Sequence, residues 1–204
     1  MNPKFAILLD GGFVTKTLGQ RKKSFPSVAD IVTECQRIKA HPTLAGHDLL
    51  RIYYYDAPPS TATLTNPIDG TAVDLGSSPV YSRSTSLLDQ LELEQDFAVR
   101  KGETVARGWK IGKAAMTSML KAPRVPVAKD LQPNVQQKGV DLRIGLDIAL
   151  LSLRQLASSI VVVTGDSDLI PAFKFARREG MRVYLDHLGG PVRRELKAHA
   201  DIVF

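Results

Sequence analysis

The stretch from Ile160 to Leu185, IVVVTGDSDLIPAFKFARREGMRVYL, constrains the fold more than any other part of the chain. Ile160 to Thr164 is a continuous run of branched apolar residues, which reads as a strand buried on both faces. A Gly165-Asp166-Ser167-Asp168 turn follows, then apolar residues at helical spacing up to Glu179, with Gly180 as the C-terminal cap. Arg182 to Leu185 reads as a second buried strand. Strand, helix and strand at this spacing make a βαβ crossover, the connection that parallel pairing requires. The chain is therefore predicted to be α/β, a Rossmann-like parallel sheet with helices on both faces.

The remaining text fits that frame. Phe5 to Leu9 is a short apolar strand that stops at Asp10 and runs into a Gly11-Gly12 turn. Val28 to Ala40 has helical periodicity, with Ser27 as its cap and His41-Pro42 as its end. Leu49 to Tyr55 is a second core strand. Residues 58–76 read as a surface excursion, and Ser86 to Leu93 as a short helix. Phe97 to Val99 reads as a strand that Arg100 to Glu103 turn into a hairpin ending near Trp109. Asp141 to Ala157 is predicted as a long helix buried on most sides, where Gly145, about 1 kcal/mol worse than Ala, signals a close backbone. Pro191 to His199 closes the chain as a helix, with a last strand at Ile202 to Phe204. We expect one domain over residues 1–204, with 57–130 as an inserted loop and hairpin region, since 204 residues suit one domain.

Several classes are excluded. A chain that is 44% hydrophobic and 24% charged is not disordered, and the lone Cys35 forms no bridge within the chain. No apolar run approaches the roughly 20 residues of a membrane span. MNPKFAILLDGG lacks a small-residue cleavage site, so a reducing cytoplasm is expected. Walker A, GxGxxG and GxSxG patterns are absent, as is zinc-ligand spacing. With 27 Lys and Arg against 21 Asp and Glu, the net charge of +6 favours a polyanionic partner. Arg100, Lys101, Arg107, Lys110, Lys113, Lys121, Arg124 and Lys129 concentrate that charge around Trp109. They form either a solvated face or a phosphate-tracking surface beside the active site.

In open parallel sheets, ligands bind outside the carboxyl ends of the strands. Asp10 ends the first strand, Asp166 and Asp168 follow the IVVVT strand, and Asp141 starts the long helix. If the first strand neighbours IVVVT, these carboxylates meet at one edge. No Lys or Arg is interleaved at Gly165 to Asp168, so a divalent cation is the simplest relief of their repulsion, and all-oxygen ligands suit Mg²⁺ or Mn²⁺. Each acid also has a structural use: Asp166, Asp168 or Asp141 can cap the helix that follows it. Asp147 is expected to pair with Arg143 at i,i+4, and it lies about 240° around the helix from Asp141, away from any shared metal. Lys138, Thr164 and Ser167 are candidates for substrate phosphate or metal-bound water, and loop, strand and cap residues otherwise.

LLDGG at 8–12, KGVDLRIGLDIA at 138–149 and VVVTGDSDLIPAFKFARREGMRVYL at 161–185 resemble the NYN domain family, a LabA-like branch of the PIN-like nucleases. The resemblance covers the first strand and nearly everything from Gln136 onward; residues 57–130 are matched less well. It implies a Rossmann-like sheet and an aspartate cluster at Asp10, Asp141, Asp166 and Asp168 that binds Mg²⁺ or Mn²⁺ to hydrolyse phosphodiesters, usually of RNA. One departure stands out. The family often carries Asn three residues after its first Asp, and here that residue is Phe13.

The expectation is thus a metal-dependent ribonuclease, with Arg100, Lys101, Arg107 and Lys110 steering RNA to the four aspartates. Its rival is a non-catalytic nucleic-acid or protein-binding module that keeps a vestigial acidic cleft; a phosphatase acting on a small phosphoester is a third option. Because PIN-like domains often pair, a homodimer belongs to the same expectation.

Overall fold

A computed structural model describes residues 2–204, which divide into two compact units. Residues 2–56, 87–102 and 139–204 belong to the first, and 57–86 and 103–138 to the second. In chain order the elements are β1 (Lys4–Asp10), α1 (Gly11–Lys22), α2 (Val28–Lys39), β2 (Asp48–Asp56), β3 (Thr63–Thr65), β4 (Ala72–Asp74), α3 (Pro79–Glu92), β5 (Phe97–Lys101) and β6 (Glu103–Ile111). They continue with α4 (Lys113–Lys121), β7 (Leu131–Lys138), α5 (Val140–Leu153), β8 (Ser159–Val163), α6 (Ile170–Arg178), β9 (Arg182–Asp186), α7 (Arg194–Ala198) and β10 (Ile202–Val203).

The first unit is built on a six-stranded sheet of order β10-β9-β8-β1-β2-β5, parallel at every pairing. The chain travels from β1 to β2 and β5 in one direction, and from β8 to β9 and β10 in the other. The order therefore reverses between β1 and β8, the position at which doubly wound sheets open a binding crevice. Alternation divides the strand residues between two faces. Phe5, Ile7 and Leu9 join Ile52, Tyr54, Val161, Val163 and Tyr184 in a core that also takes Val14 and Leu18 of α1, Ile31, Cys35 and Ile38 of α2, and Leu87, Leu88 and Leu91 of α3. On the opposite face α5 packs on β1, β2 and β5, and α6 on β9. Ile144, Ile148, Leu151 and Phe173 are among the buried side chains of those two helices.

The α/β architecture is as the sequence implies, but several elements differ. The Gly11-Gly12 turn is the start of a helix, because the Asp10 side chain caps α1 by accepting from the Phe13 N–H. Gly11 is required there: a Cβ would lie 2.7 Å from the Tyr55 carbonyl oxygen. β5 pairs parallel with β2 instead of turning into a hairpin, and β6 pairs antiparallel with β7. The long helix stops at Leu153 and is less enclosed than its leucines suggest, since Leu142, Leu146, Leu150 and Leu153 are exposed. No backbone crosses Gly145, whose absent Cβ would be 4.0 Å from the Ala172 methyl of α6.

The second unit contains two hairpins, β3-β4 and β6-β7. The first falls inside residues 58–76, where the sequence suggests no regular element. Trp109 Nε1 donates to the Thr65 carbonyl at 2.7 Å, and Asn66 Nδ2 to the Ala128 carbonyl at 3.2 Å. The Arg124 guanidinium lies on the buried Asp130 and holds its carboxyl well below the usual carboxylate range. No helix among the described residues is long and apolar enough to cross a membrane.

Candidate active site

Asp10 is the last residue of β1 and sits at the switch point. Its two oxygens are both held. Oδ1 accepts from the Phe13 N–H at 3.1 Å, and Oδ2 accepts from Thr164 Oγ1 at 2.9 Å. Thr164 is fully buried just beyond β8, and its Oγ1 in turn accepts from the Asp166 N–H at 3.1 Å. Asp166 Oδ1 accepts from the Asp168 N–H at 2.9 Å, capping a single 3-10 turn over Ser167–Leu169. A chain of hydrogen bonds through the Asp10, Thr164 and Asp166 side chains thus fixes the GDSD loop against the end of β1. Asp166 is both a cap and a member of the acidic group; the two readings are compatible.

Asp141 arrives from another direction, in the first turn of α5. The preceding Gly139 has φ 73°, a left-handed turn that a side chain resists, and it bends the chain out of β7 into the helix. Asp141 is therefore not the N-cap, and its carboxylate is not used in capping.

The electrostatics tie these segments together. Burial pushes the Asp10 carboxyl from 3.8 up to about 6, against the pull of its Phe13 and Thr164 hydrogen bonds, and the charges of Asp141 and Asp166 push it further the same way. Asp141 is raised by burial and by the charges of Asp166 and Asp168. Among the described residues, none of the four makes an ion pair with Lys, Arg or His. An all-oxygen donor set without a cationic partner fits a hard divalent ion in its chemistry. Its spacing is open: among the described residues no three His, Cys, Asp or Glu side chains are close enough together to hold a metal as they stand.

Other sequence candidates separate. Arg100 and Lys101 end β5 in the first unit, where Lys101 Nζ pairs with Glu92 at 2.7 Å. Arg107 and Lys110 on β6 and Lys138 at the end of β7 are exposed residues of the second unit. Ser167 is half-buried within the 3-10 turn. The expected Asp147–Arg143 pair does not form. Arg143 Nη1 donates to the Gly139 carbonyl at 3.1 Å, while Asp147 Oδ2 accepts from Tyr55 OH at 2.9 Å and pairs with Arg100 Nε at 3.1 Å. Asp147, set aside by the sequence reading, and Tyr55, which that reading left as a strand residue, thus meet at the end of β5. Only the register Asp10↔Tyr55↔Arg100 brings them there. Phe13 lies against Gly165, where a Cβ would meet its ring at 2.6 Å, so the ring packs on the GDSD loop where the family often has an amide.

A parallel α/β sheet whose strand order reverses beside Asp10, with Asp141 and Asp166 near enough to act on its charge, defines a Rossmann-like fold with an acidic group at its carboxyl edge. The NYN domain model matches residues 4–203, and the chain belongs to the NYN domain family, whose members are typically PIN-like nucleases. No curated protein matches it. Among solved structures it is similar to a protein of unknown function from Vibrio parahaemolyticus, at 15% identity and a TM-score of 0.55, covering 99% of this chain and 91% of that one. That likeness supports the fold.

Proposed function

We propose that the protein is a divalent-metal-dependent ribonuclease whose reaction centre is the group Asp10, Asp141, Asp166 and Asp168. The observation that carries the reading is the Asp10 carboxyl: half-buried at the switch point, near the charges of Asp141 and Asp166 and given no cationic partner. A carboxylate kept in this state is suited to a cation and not to structural pairing. Asp10, Asp141 and Asp166 would hold Mg²⁺ or Mn²⁺, with Asp168 completing the ligand set or orienting the attacking water. When bound, such an ion supplies positive charge at the scissile phosphate and lowers the pKa of water. The chain's own contribution is orientation: Thr164 and the Phe13 N–H fix the Asp10 oxygens, and the Asp166 cap fixes the loop. Ser167 and the basic side chains Arg100 and Lys101 add phosphate contacts, with the second unit read as an insertion into the nuclease domain.

The test is a cleavage time course on labelled single-stranded RNA, structured RNA and DNA with Mn²⁺, Mg²⁺ or EDTA. RNA cleavage that EDTA stops is expected, and Asp166→Asn should lower its rate by at least about a hundredfold while thermal unfolding stays cooperative. Full activity in Asp166→Asn overturns the assignment. The Phe13 packing and the open spacing favour a second reading, a module that binds RNA without cutting it. Binding without turnover under every metal condition would establish that one instead.

A further inference from the structure

Arg100 is the last but one residue of β5, and in register it stands beside Tyr55, which stands beside Asp10. The three share one face of the sheet at its carboxyl edge, with Arg100 two strand spacings, about 10 Å, from Asp10. Its guanidinium is fixed at several points. Nε pairs with Asp147 Oδ2, that same oxygen accepts from the buried Tyr55 hydroxyl, and the guanidinium carbon lies 5.6 Å from the centre of the Tyr53 ring. The side chain is nonetheless 46% exposed. Among the described residues neither Nη group has a hydrogen-bond or ion-pair partner, so the two-nitrogen fork remains unused.

Simple neutralisation of Asp147 does not require this arrangement. An exposed pair contributes little on its own, and a lysine would serve as well. A planar fork paired through Nε, lying within cation–π range of a tyrosine and half exposed with both Nη groups unpaired, is suited to recognise a phosphate. We propose that Arg100 is a phosphate anchor for the RNA strand, contacting a phosphate beside the scissile one, and that Asp147 and Tyr55 are its positioning residues. The identity of the ligand rests on the ribonuclease reading; the anchor itself is tested without turnover.

The experiment measures binding of a short fluorescein-labelled oligouridylate to the full chain by anisotropy in EDTA, across a salt series. Arg100→Gln should weaken binding about tenfold and reduce the slope of log K against log salt by about 0.7, one single-strand phosphate contact. Arg100→Lys should keep the slope and lose part of the affinity. Asp147→Asn separates positioning from bulk charge. Removing an acid strengthens RNA binding if only net charge matters, whereas loss of orientation weakens it several-fold; Tyr55→Phe should weaken it in the same direction. In cleavage assays with metal, Arg100→Gln should raise KM by a larger factor than it lowers kcat. An unchanged slope in Arg100→Gln, or tighter binding by Asp147→Asn, overturns the anchor even if the enzyme cuts RNA. An Arg100-dependent slope in a protein that never cleaves retains the anchor and removes the nuclease. Wild-type protein that binds no RNA removes both.

Discussion

Asp10 and Asp186 occupy equivalent places, each the last residue of a parallel strand in the same sheet, with only β8 between them. Their surroundings are opposite. Asp186 is 1% exposed and fully compensated: it pairs with the Arg37 guanidinium and accepts from the Leu188 N–H at 2.8 Å. Arg37 is itself held by Glu34 at 2.8 Å, Glu34 by Arg21 at 2.8 Å, and Arg21 donates back to the Leu188 carbonyl. Asp10 receives only neutral donors, from Phe13 and Thr164, and faces other carboxylates. The same residue at the same kind of strand end thus serves as a closed structural tie in one place and as an open acid in the other. What separates them is the presence of a cation on the neighbouring helix, not the aspartate.

The largest stability effect should come from opening the closed side. Arg37→Met leaves the Asp186 charge buried and unpaired and is expected to destabilise the protein by about 3 kcal/mol in urea unfolding. A loss under about 1 kcal/mol would show that Asp186 does not depend on its partner. The open side should respond with the opposite sign. The folded-state pKa of Asp10 is raised from 3.8 to about 6, so folded protein holds this proton more tightly than unfolded protein does. Its contribution is fully present below about pH 4 and is lost as pH rises through 6. Asp10→Asn removes that loss and should stabilise the metal-free protein at pH 7 by about 1–2 kcal/mol, while flattening the pH profile between 4 and 6. Thermal melts in EDTA at several pH values check this, and a less stable Asn variant would contradict it.

A smaller effect belongs to the first helix face that the sequence announces plainly. Ser27 and Asp30 form a capping box on α2, and Asp30 is drawn from 3.8 down to about 2 by Lys22 and the Ser27 donors. With a depressed pKa, its contribution is present above about pH 4 and fades as pH falls through 2. Ser27→Ala should reduce stability by about 1 kcal/mol at neutral pH, measured by chemical denaturation. It should leave RNA cleavage unaltered, which separates the structural helix from the acidic edge.

The legibility of this chain varied with how local each signal was. β1, β8 and β9 carry continuous apolar runs, β2 is rich in branched and aromatic residues, and α2 carries both its cap and its periodicity, so these were readable without a partner. α1 was hidden because it buries only Gly11, Val14 and Leu18 and begins with two glycines, and its start depends on a cap from Asp10. The partner of β6 was unreadable for a different reason. A strand of alternating exposure pairs with whatever strand tertiary contact supplies, and that was β7, across the whole of α4. At the site, KGVD and GDSD singled out Asp141, Asp166 and Asp168, and the end of the first strand singled out Asp10, but Asp147 was assigned to Arg143 by helix geometry alone, and the fold gave it to Arg100 and Tyr55.

By itself, the sequence determined the parallel α/β class, the strands that carry Asp10 and the GDSD loop, and the oxygen-only character of the acidic group, because hydrophobic runs and residue chemistry are properties of short segments. Tertiary structure alone decided which acids remain without a cation, that Thr164 links Asp10 to the Asp166 loop, and that Arg100 stands in line with Asp10. Those outcomes depend on strand register and on what packs over each face, and register joins residues separated by as much as 154 positions along the chain.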